Sequence, residues 1–181
     1  MTRLKRETKE TSVRLSVDKN GGEIDVRTDD RFLTHMVETL ARYAGLGLSL
    51  EATGDLRHHL VEDVGISLGT ALREETPHTA SRYGWAMIPM DEALVQAAVD
   101  LGGRPYYVGP LPSRLYEHFL QSMAVNLGAT LHIRVIRGKD RHHTVEAAVK
   151  ALGLALRQGL EEGGAVFSTK GSVSLTLEKE E

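Results

Sequence analysis

Eight residues of this chain have the types and spacing to hold metal ions: His35, His58, His59, Glu62, His118, His142, His143 and Glu146. They fall into two matching sets. Each set has one His within a helical stretch (His35, His118) and a His-His-x-x-Glu that begins 23 or 24 residues downstream, at His58 and His142. On a helix, Glu62 lies one turn beyond His58 and His59 and shares a face with either. Adjacent His rings point about 100° apart. One pair therefore cannot close both rings on one small ion, and each pair is expected to split between two ions. Shared out over two ions, the eight residues give each cation three His and one Glu. An octahedral cation then keeps two positions for water or substrate, an arrangement suited to catalysis. Imidazole favours Zn, Fe, Ni or Cu over Mg or Ca, and mixed nitrogen and oxygen ligation with open positions also admits Mn. The chain has no Cys, which excludes thiolate sites, disulfides and Cys nucleophiles. His78, in a Thr-Pro-His-Thr loop, and His132, within a strand pattern, stand outside the two sets.

The elements that must position these residues repeat as well. Residues 13–17 alternate with period two and read as a strand, and Asn20-Gly21-Gly22 then predicts a hairpin to 23–27. Helical spacing runs over 32–43, with Gly45 and Gly47 as stop signals, and a strand is expected at 46–52, closed by Gly54. A second helix is expected from His59 to Arg73, extended chain at 85–90, and a strand at 93–101. A helix at 115–127, a strand at 130–136 and a long helix from Thr144 to Glu162, ended by Gly163-Gly164, complete the second set, and 173–177 reads as a last short strand. Phe32–Leu72 laid beside Leu115–Leu156 gives an offset of 83 at His35/His118 and Gly45/Gly128, and of 84 from Gly54/Gly138 onward. Nine of 16 positions are identical between 57–72 and 141–156. Unrelated segments share about one, so this is an internal duplication. The expected architecture is α+β: a single domain over 1–181 made of two similar halves, approximately 1–90 and 91–181.

The 181 residues suit one such domain. Lys plus Arg number 22 against 25 Asp plus Glu, a formal charge of −3, which argues against a nucleic-acid or anionic-membrane binder held by bulk charge. With nine aromatic residues there is little for a base-stacking platform. Residues 1–10 are charged throughout, unlike a signal peptide, and no run approaches the ~18 apolar residues that span a bilayer, so a cytoplasmic protein is expected. A chain of this size buries roughly 70% of its unfolded surface and needs no metal to fold, so a metal site here is expected to be functional.

The sequence resembles the imidazoleglycerol-phosphate dehydratases, enzymes of histidine biosynthesis. The matching pieces are Thr8-Lys9-Glu10-Thr11, Phe32-Leu33-Thr34-His35-Met36, His58-His59-Leu60-Val61-Glu62-Asp63 and Pro89-Met90-Asp91-Glu92. Gly103-Arg104-Pro105, Glu117-His118-Phe119, His142-His143-Thr144-Val145-Glu146-Ala147 and Ser168-Thr169-Lys170-Gly171 follow in the family's order, so the match runs from about residue 5 to 172. The resemblance implies a duplicated fold like the second domain of ribosomal protein S5, with helices packed between two four-stranded sheets. It implies 24-mers built from trimers with active sites shared between subunits, and a pair of Mn2+ ions, with Zn2+ or another divalent ion as the alternative.

It also implies the chemistry: loss of water from a phosphorylated imidazole glycerol to give the acetol phosphate. The carbon-bound proton that must leave is normally a very weak acid. A ring held between two cations can lose its N–H proton, and the resulting metal-bound imidazolate can expel the hydroxyl as a diazafulvene-like intermediate. Glu146 and Glu10 match positions given acid–base or substrate roles. Arg82, Arg104, Lys150, Ser168 and Lys170 match positions that receive the substrate phosphate, with Lys150 one turn beyond Glu146. Asp91 matches a position beside a ligand His. The chain departs from the family pattern at Thr34 and Leu60, in the short Asp55-Leu56-Arg57 approach to the first His pair, and in a shorter stretch between Arg104 and His118. Two rival readings of the same residues are another metal-dependent enzyme for phosphorylated substrates, and a non-catalytic assembly protein clamped by ions.

Overall fold

The computed structural model describes residues 1–164. The first set of elements is β1 (Thr2–Glu7), β2 (Thr11–Asp18), β3 (Ile24–Thr28), α1 (Arg31–Ala44), β4 (Gly47–Gly54) and α2 (Arg57–Glu75). The second is β5 (Tyr83–Met90), β6 (Ala93–Asp100), β7 (Tyr106–Val108), α3 (Arg114–Leu127), β8 (Thr130–Arg137) and α4 (Arg141–Gly159). The sheet orders are β1-β2-β4-β3 and β5-β6-β8-β7, the same topology twice. Strand β5 pairs with β6, so it belongs to the second set, although a division near residue 90 leaves it in the first.

Alternation decides which face of each sheet is buried. Val13, Leu15 and Val17 of β2 sit opposite Ala52, Leu50 and Leu48 of β4, all inward. Val99 and Ala97 of β6 sit opposite Leu131 and Ile133 of β8 in the same way. The helices fill the space between the inner faces, α2 against β1 and β2, α4 against β5 and β6. Across the middle, α2 packs on α3 and α1 on α4, so each helix pair joins the two halves. Phe119, Leu33, Met36, Leu68, Leu120, Met123 and Leu152 are the largest fully buried side chains of this layer. Each such side chain contributes about 1.5–3 kcal/mol through burial.

Close helix crossing has a duplicated cause. A Cβ at Gly69 of α2 would collide with the Met123 carbonyl of α3, and one at Gly153 of α4 would lie 2.6 Å from Tyr43 Cβ and 3.1 Å from the Leu40 carbonyl of α1. These glycines are 84 residues apart, at matching positions of the repeat.

Two sequence expectations are corrected, and two strands appear that the sequence did not signal. The hairpin of 13–17 with 23–27 does not form, because β4 lies between them and β3 runs parallel to β4, with Val26 beside Leu50. Parallel neighbours need a crossover, which α1 supplies. Gly21 and Gly22 have φ of 91° and 144°, and a Cβ at Gly22 would lie 3.4 Å from Gly47 Cα, so the turn carries the chain past the start of β4. The hairpin partner of β2 is the charged N-terminal segment, β1, an edge strand whose alternate residues face water. Helix α4 runs over Arg141–Gly159, since the chain beyond Leu160 turns back: Ser81 N–H donates to the Glu161 carbonyl at 2.7 Å, and Gly163 N–H to that of Thr79 at 2.6 Å. Strand β7 has only three residues between glycine-containing loops and gave no periodic signal. The strand expected at 173–177 lies outside the described residues.

Candidate metal centre

All four helices begin at the same end of the layer, and the candidate ligands gather there. Helix α1 presents His35 to the first turns of α4, where Glu146 Oε2 lies 3.2 Å from His35 Nε2 and 3.0 Å from His142 Nε2. Helix α3 presents His118 to α2 in the matching way: Glu62 lies 3.2 Å from His118 Nε2 and 3.7 Å from His58 Nε2. In each trio the candidate ligand atoms lie within 4.8 Å of one another. Each trio therefore takes its single His from one half of the repeat and its His and Glu from the other. The sequence pattern grouped them by half; the α1–α4 and α2–α3 packing regroups them.

The donor set fits a divalent cation. Two imidazole nitrogens and a carboxylate oxygen converge in each trio, and His118 Nε2 is a buried atom with no aligned hydrogen-bond partner among the described residues. Such an orphaned lone pair is costly unless something binds it. The mixed nitrogen and oxygen set suits Zn, Mn or Fe.

His59 and His143, the second members of the pairs, join neither trio. The ring of His59 is held at Nδ1 by Asp55 at 2.9 Å, with Glu10 Oε2 at 3.6 Å. That of His143 is held at Nδ1 by Glu92 at 2.8 Å, with Asp91 3.6 Å from Nε2. A carboxylate on Nδ1 fixes the tautomer and leaves Nε2 as the ligating atom. The Asp55 hydrogen bond raises the His59 pKa, and the Glu92 hydrogen bond that of His143. Glu92 itself is held down to about 2, first by the Asp140 backbone N–H and then by His143. Neither Asp55 nor Glu92 was singled out by its spacing. The duplication holds the missing signal, because Glu10 and Glu92 are the residues just before β2 and β6 and so occupy matching positions.

The turn that carries Glu10 is anchored from below. Thr8 Oγ1 accepts from the N–H groups of Glu10 (3.1 Å) and Thr11 (2.9 Å). Thr11 Oγ1 donates to the buried Asp63 of α2, which also pairs with Arg6 at 3.0 Å. Asp63 follows Glu62 directly, so the element that presents one trio also holds the Glu10 turn.

The remaining candidates separate. Lys150 Nζ lies 2.8 Å from Glu146 Oε1. Burial opposes the Glu146 charge, but Lys150 and His35 outweigh it and its pKa is lowered. Arg82 pairs with Asp100 (Nε–Oδ1 2.6 Å), and Arg104 reaches the same carboxylate at 3.9 Å. Both lie toward the far end of α4, where Arg82 N–H donates to the Gly159 carbonyl at 2.9 Å. The 19 residues of α4 span about 28 Å, so within one chain these arginines are remote from the trios. Ser168 and Lys170 lie outside the described residues. His78 and His132 are exposed and touch neither trio.

The chain is similar to known proteins along nearly its whole length. A model of the family "Imidazoleglycerol-phosphate dehydratase" matches residues 28–156. The imidazoleglycerol-phosphate dehydratase of Pyrobaculum aerophilum is 48% identical over 183 residues, covering 92% of this chain and 96% of that protein. A crystal structure of the Pyrococcus furiosus enzyme superposes with a TM-score of 0.85 at 42% identity, covering 94% of this chain and 100% of the other. One of the Staphylococcus aureus enzyme gives 0.79 at 34% identity, covering 88% and 98%. The duplicated sheets, the paired His–Glu trios and this likeness along nearly the whole chain lead to one conclusion: the chain belongs to the imidazoleglycerol-phosphate dehydratase family.

Proposed function

We propose that the two His–Glu trios, completed by residues of neighbouring copies, are the metal centres at which this chain performs its family's reaction. That reaction is the metal-dependent dehydration of imidazoleglycerol phosphate in histidine biosynthesis, a hydro-lyase activity. The observation that carries the assignment is the convergence of His35, His142 and Glu146, and of His58, Glu62 and His118, from opposite halves of the repeat. Mn2+ is the ion we assign, by likeness to the family.

Bound there, a divalent cation supplies Lewis-acid stabilisation to an anionic nitrogen heterocycle. The chain's own residues do the rest. Both Glu146 oxygens are engaged, Oε1 with Lys150 and Oε2 with two imidazoles, which suits a ligand held ionised. Glu10 sits on an anchored turn with its carboxylate more than half exposed beside His59. Its counterpart Glu92 is committed to orienting His143, whereas Asp55 performs that task for His59. Glu10 is thereby left to take the carbon-bound proton and return it to the departing hydroxyl. Arg82, Arg104, Lys150, Ser168 and Lys170 receive the phosphate, the two arginines acting from a different copy than the trio they serve.

Assembly follows from the same geometry. His59 and His143 belong to neither trio, so each is expected to complete a site on another subunit. The outer face of the second sheet carries exposed Trp85, Met87, Tyr106, Val108 and Ile136, whereas the first sheet presents Arg3, Lys5, Arg14 and Glu51. An apolar sheet face of this kind marks a protein–protein contact. We assign it to copy–copy packing within a 24-mer built from trimers. Among the described residues no helix is long and apolar enough to cross a membrane.

The test is turnover and metal content of purified Glu146→Gln, His143→Ala and Glu10→Gln. Glu146→Gln and His143→Ala are expected to lose metal and activity together. Glu10→Gln is expected to keep its metal and lose at least about 100-fold in kcat. Undiminished turnover in Glu146→Gln or His143→Ala overturns the ligand assignment.

A further inference from the structure

Beside the first trio lies a cavity of about 370 Å³ lined by Phe32, Arg57, Ser113, Arg114, Tyr116, Arg141 and His142, among others. Its charge is one-sided. Three guanidinium groups line it and no carboxylate does. Arg57 pairs with Asp30, the N-cap of α1, but Arg114 and Arg141 have no acidic partner among the described residues. Both are the first residues of their helices, α3 and α4, where the helix dipole disfavours a cation and favours an anion. The Asp140 carboxylate caps the N-terminus of α4 and Glu117 stands in the first turn of α3, but neither pairs with Arg114 or Arg141.

The polar groups around them are also unspent. Ser113, the N-cap of α3, makes no side-chain capping bond, so its hydroxyl and the first N–H groups of α3 remain available. Tyr116 is 2% exposed, and its hydroxyl is buried near Arg57 without an aligned hydrogen-bond partner. A buried, unpartnered hydroxyl at the wall of a cationic cavity calls for an acceptor inside it. Phe32 meets Tyr116 edge-on at 4.9 Å between ring centroids and forms an apolar side wall.

We infer that this cavity binds a small oxyanion, a free phosphate or the phosphate of a compact ester, gripped by Arg114 and Arg141 and receiving hydrogen bonds from Ser113 and Tyr116. Guanidinium forks match phosphate oxygens in pairs, and the uncapped N-terminus of α3 adds its first N–H groups. The site is built from different residues than the phosphate-receiving group assigned above, since Arg82, Arg104 and Lys150 do not line it.

Calorimetric titration of the metal-loaded protein with inorganic phosphate, and separately with glycerol phosphate, tests this. The double variant Arg114→Ala/Arg141→Ala is expected to lose one bound phosphate per chain relative to the unmodified protein, or to bind it at least about tenfold more weakly. Tyr116→Phe is expected to weaken the same site alone. Arg104→Ala is expected to leave that site intact while weakening the other. The tighter of the two probes identifies the natural source as free phosphate or ester. The proposal is overturned if the double variant binds both probes as the unmodified protein does. It is equally overturned if Arg104→Ala removes the same phosphate. Because Arg114 and Arg141 are both exposed, loss of folding is not expected, and Arg114→Lys gives a milder second variant.

Discussion

At the residue scale the duplicated histidines differ in what holds them. His143 depends on Glu92, which arrives on the β5–β6 turn and also accepts the N–H groups of Lys139 at 3.1 Å and Asp140 at 2.7 Å. In Glu92→Gln the amide oxygen can keep those backbone bonds while its NH2 meets His143 Nδ1. The tautomer then reverses, and Nε2 carries the proton that a ligand must lack. We expect metal retention and turnover to fall by about 10–100-fold, with the thermal midpoint nearly unmoved. Metal content equal to the unmodified protein would show that His143 does not ligate through Nε2. The His-His-x-x-Glu spacing was legible in the sequence because 3.6 residues per turn fixes which side chains share a helix face. Asp55 was hidden because the short approach to the first His pair obscured its role. Glu92 was hidden because it reaches His143 across 51 residues of chain.

At the element scale the helix layer rests on close crossings and on a few tethers to the sheets. Gly69→Ala places a methyl against the Met123 carbonyl, which belongs to helix backbone and cannot move aside. A cost of about 1–3 kcal/mol is expected, or a fall of roughly 2–4 °C in thermal midpoint for each kcal/mol. An unchanged midpoint would mean that α2 and α3 separate easily. The end of α2 is tied to the first sheet by Glu75, which accepts from Thr2 Oγ1 at 2.7 Å and from Lys19 N–H at 3.1 Å. Burial works to raise its pKa, but the Thr2, Lys19 and N-terminal donors outweigh it, so the folded pKa lies below the unfolded one. Its stabilisation is therefore complete above the unfolded carboxylate pKa and is lost as pH falls through the folded value. Glu75→Gln is expected to lower the melting temperature at pH 7, and the gap to the unmodified protein is expected to close toward pH 3. A gap of constant size across that range would remove charge from the explanation. Six of the eight strands and all four helices were visible in hydrophobic periodicity or in mirror positions of the repeat; the exceptions are β1, which is charged, and β7, which has three residues. The sheet order was not visible, because alternation selects a face and says nothing about which strand lies alongside.

At the scale of the whole molecule, two halves of one topology have diverged on their outer surfaces. Trp85→Glu places a charge on the apolar outer face of the second sheet, on its edge strand β5. It is expected to convert the assembly into smaller species by light scattering, with a parallel loss of activity if sites are shared between copies. An assembly of undiminished size would assign copy–copy packing to another surface. The sequence by itself determined the types of the candidate ligands, their duplication and the absence of thiolate groups. These follow from residue identity and from helix periodicity, which act over a few residues. Which half lends which ligand was decided only by the tertiary structure. The pairing of α1 with α4 and α2 with α3 brings residues 111 positions apart, His35 and Glu146, to 3.2 Å. The same packing gathers Arg57, Arg114 and Arg141, each unremarkable in its own segment, around one cavity. Contacts of this kind depend on how apolar faces and glycine crossings fit together in three dimensions, and no local spacing encodes that fit.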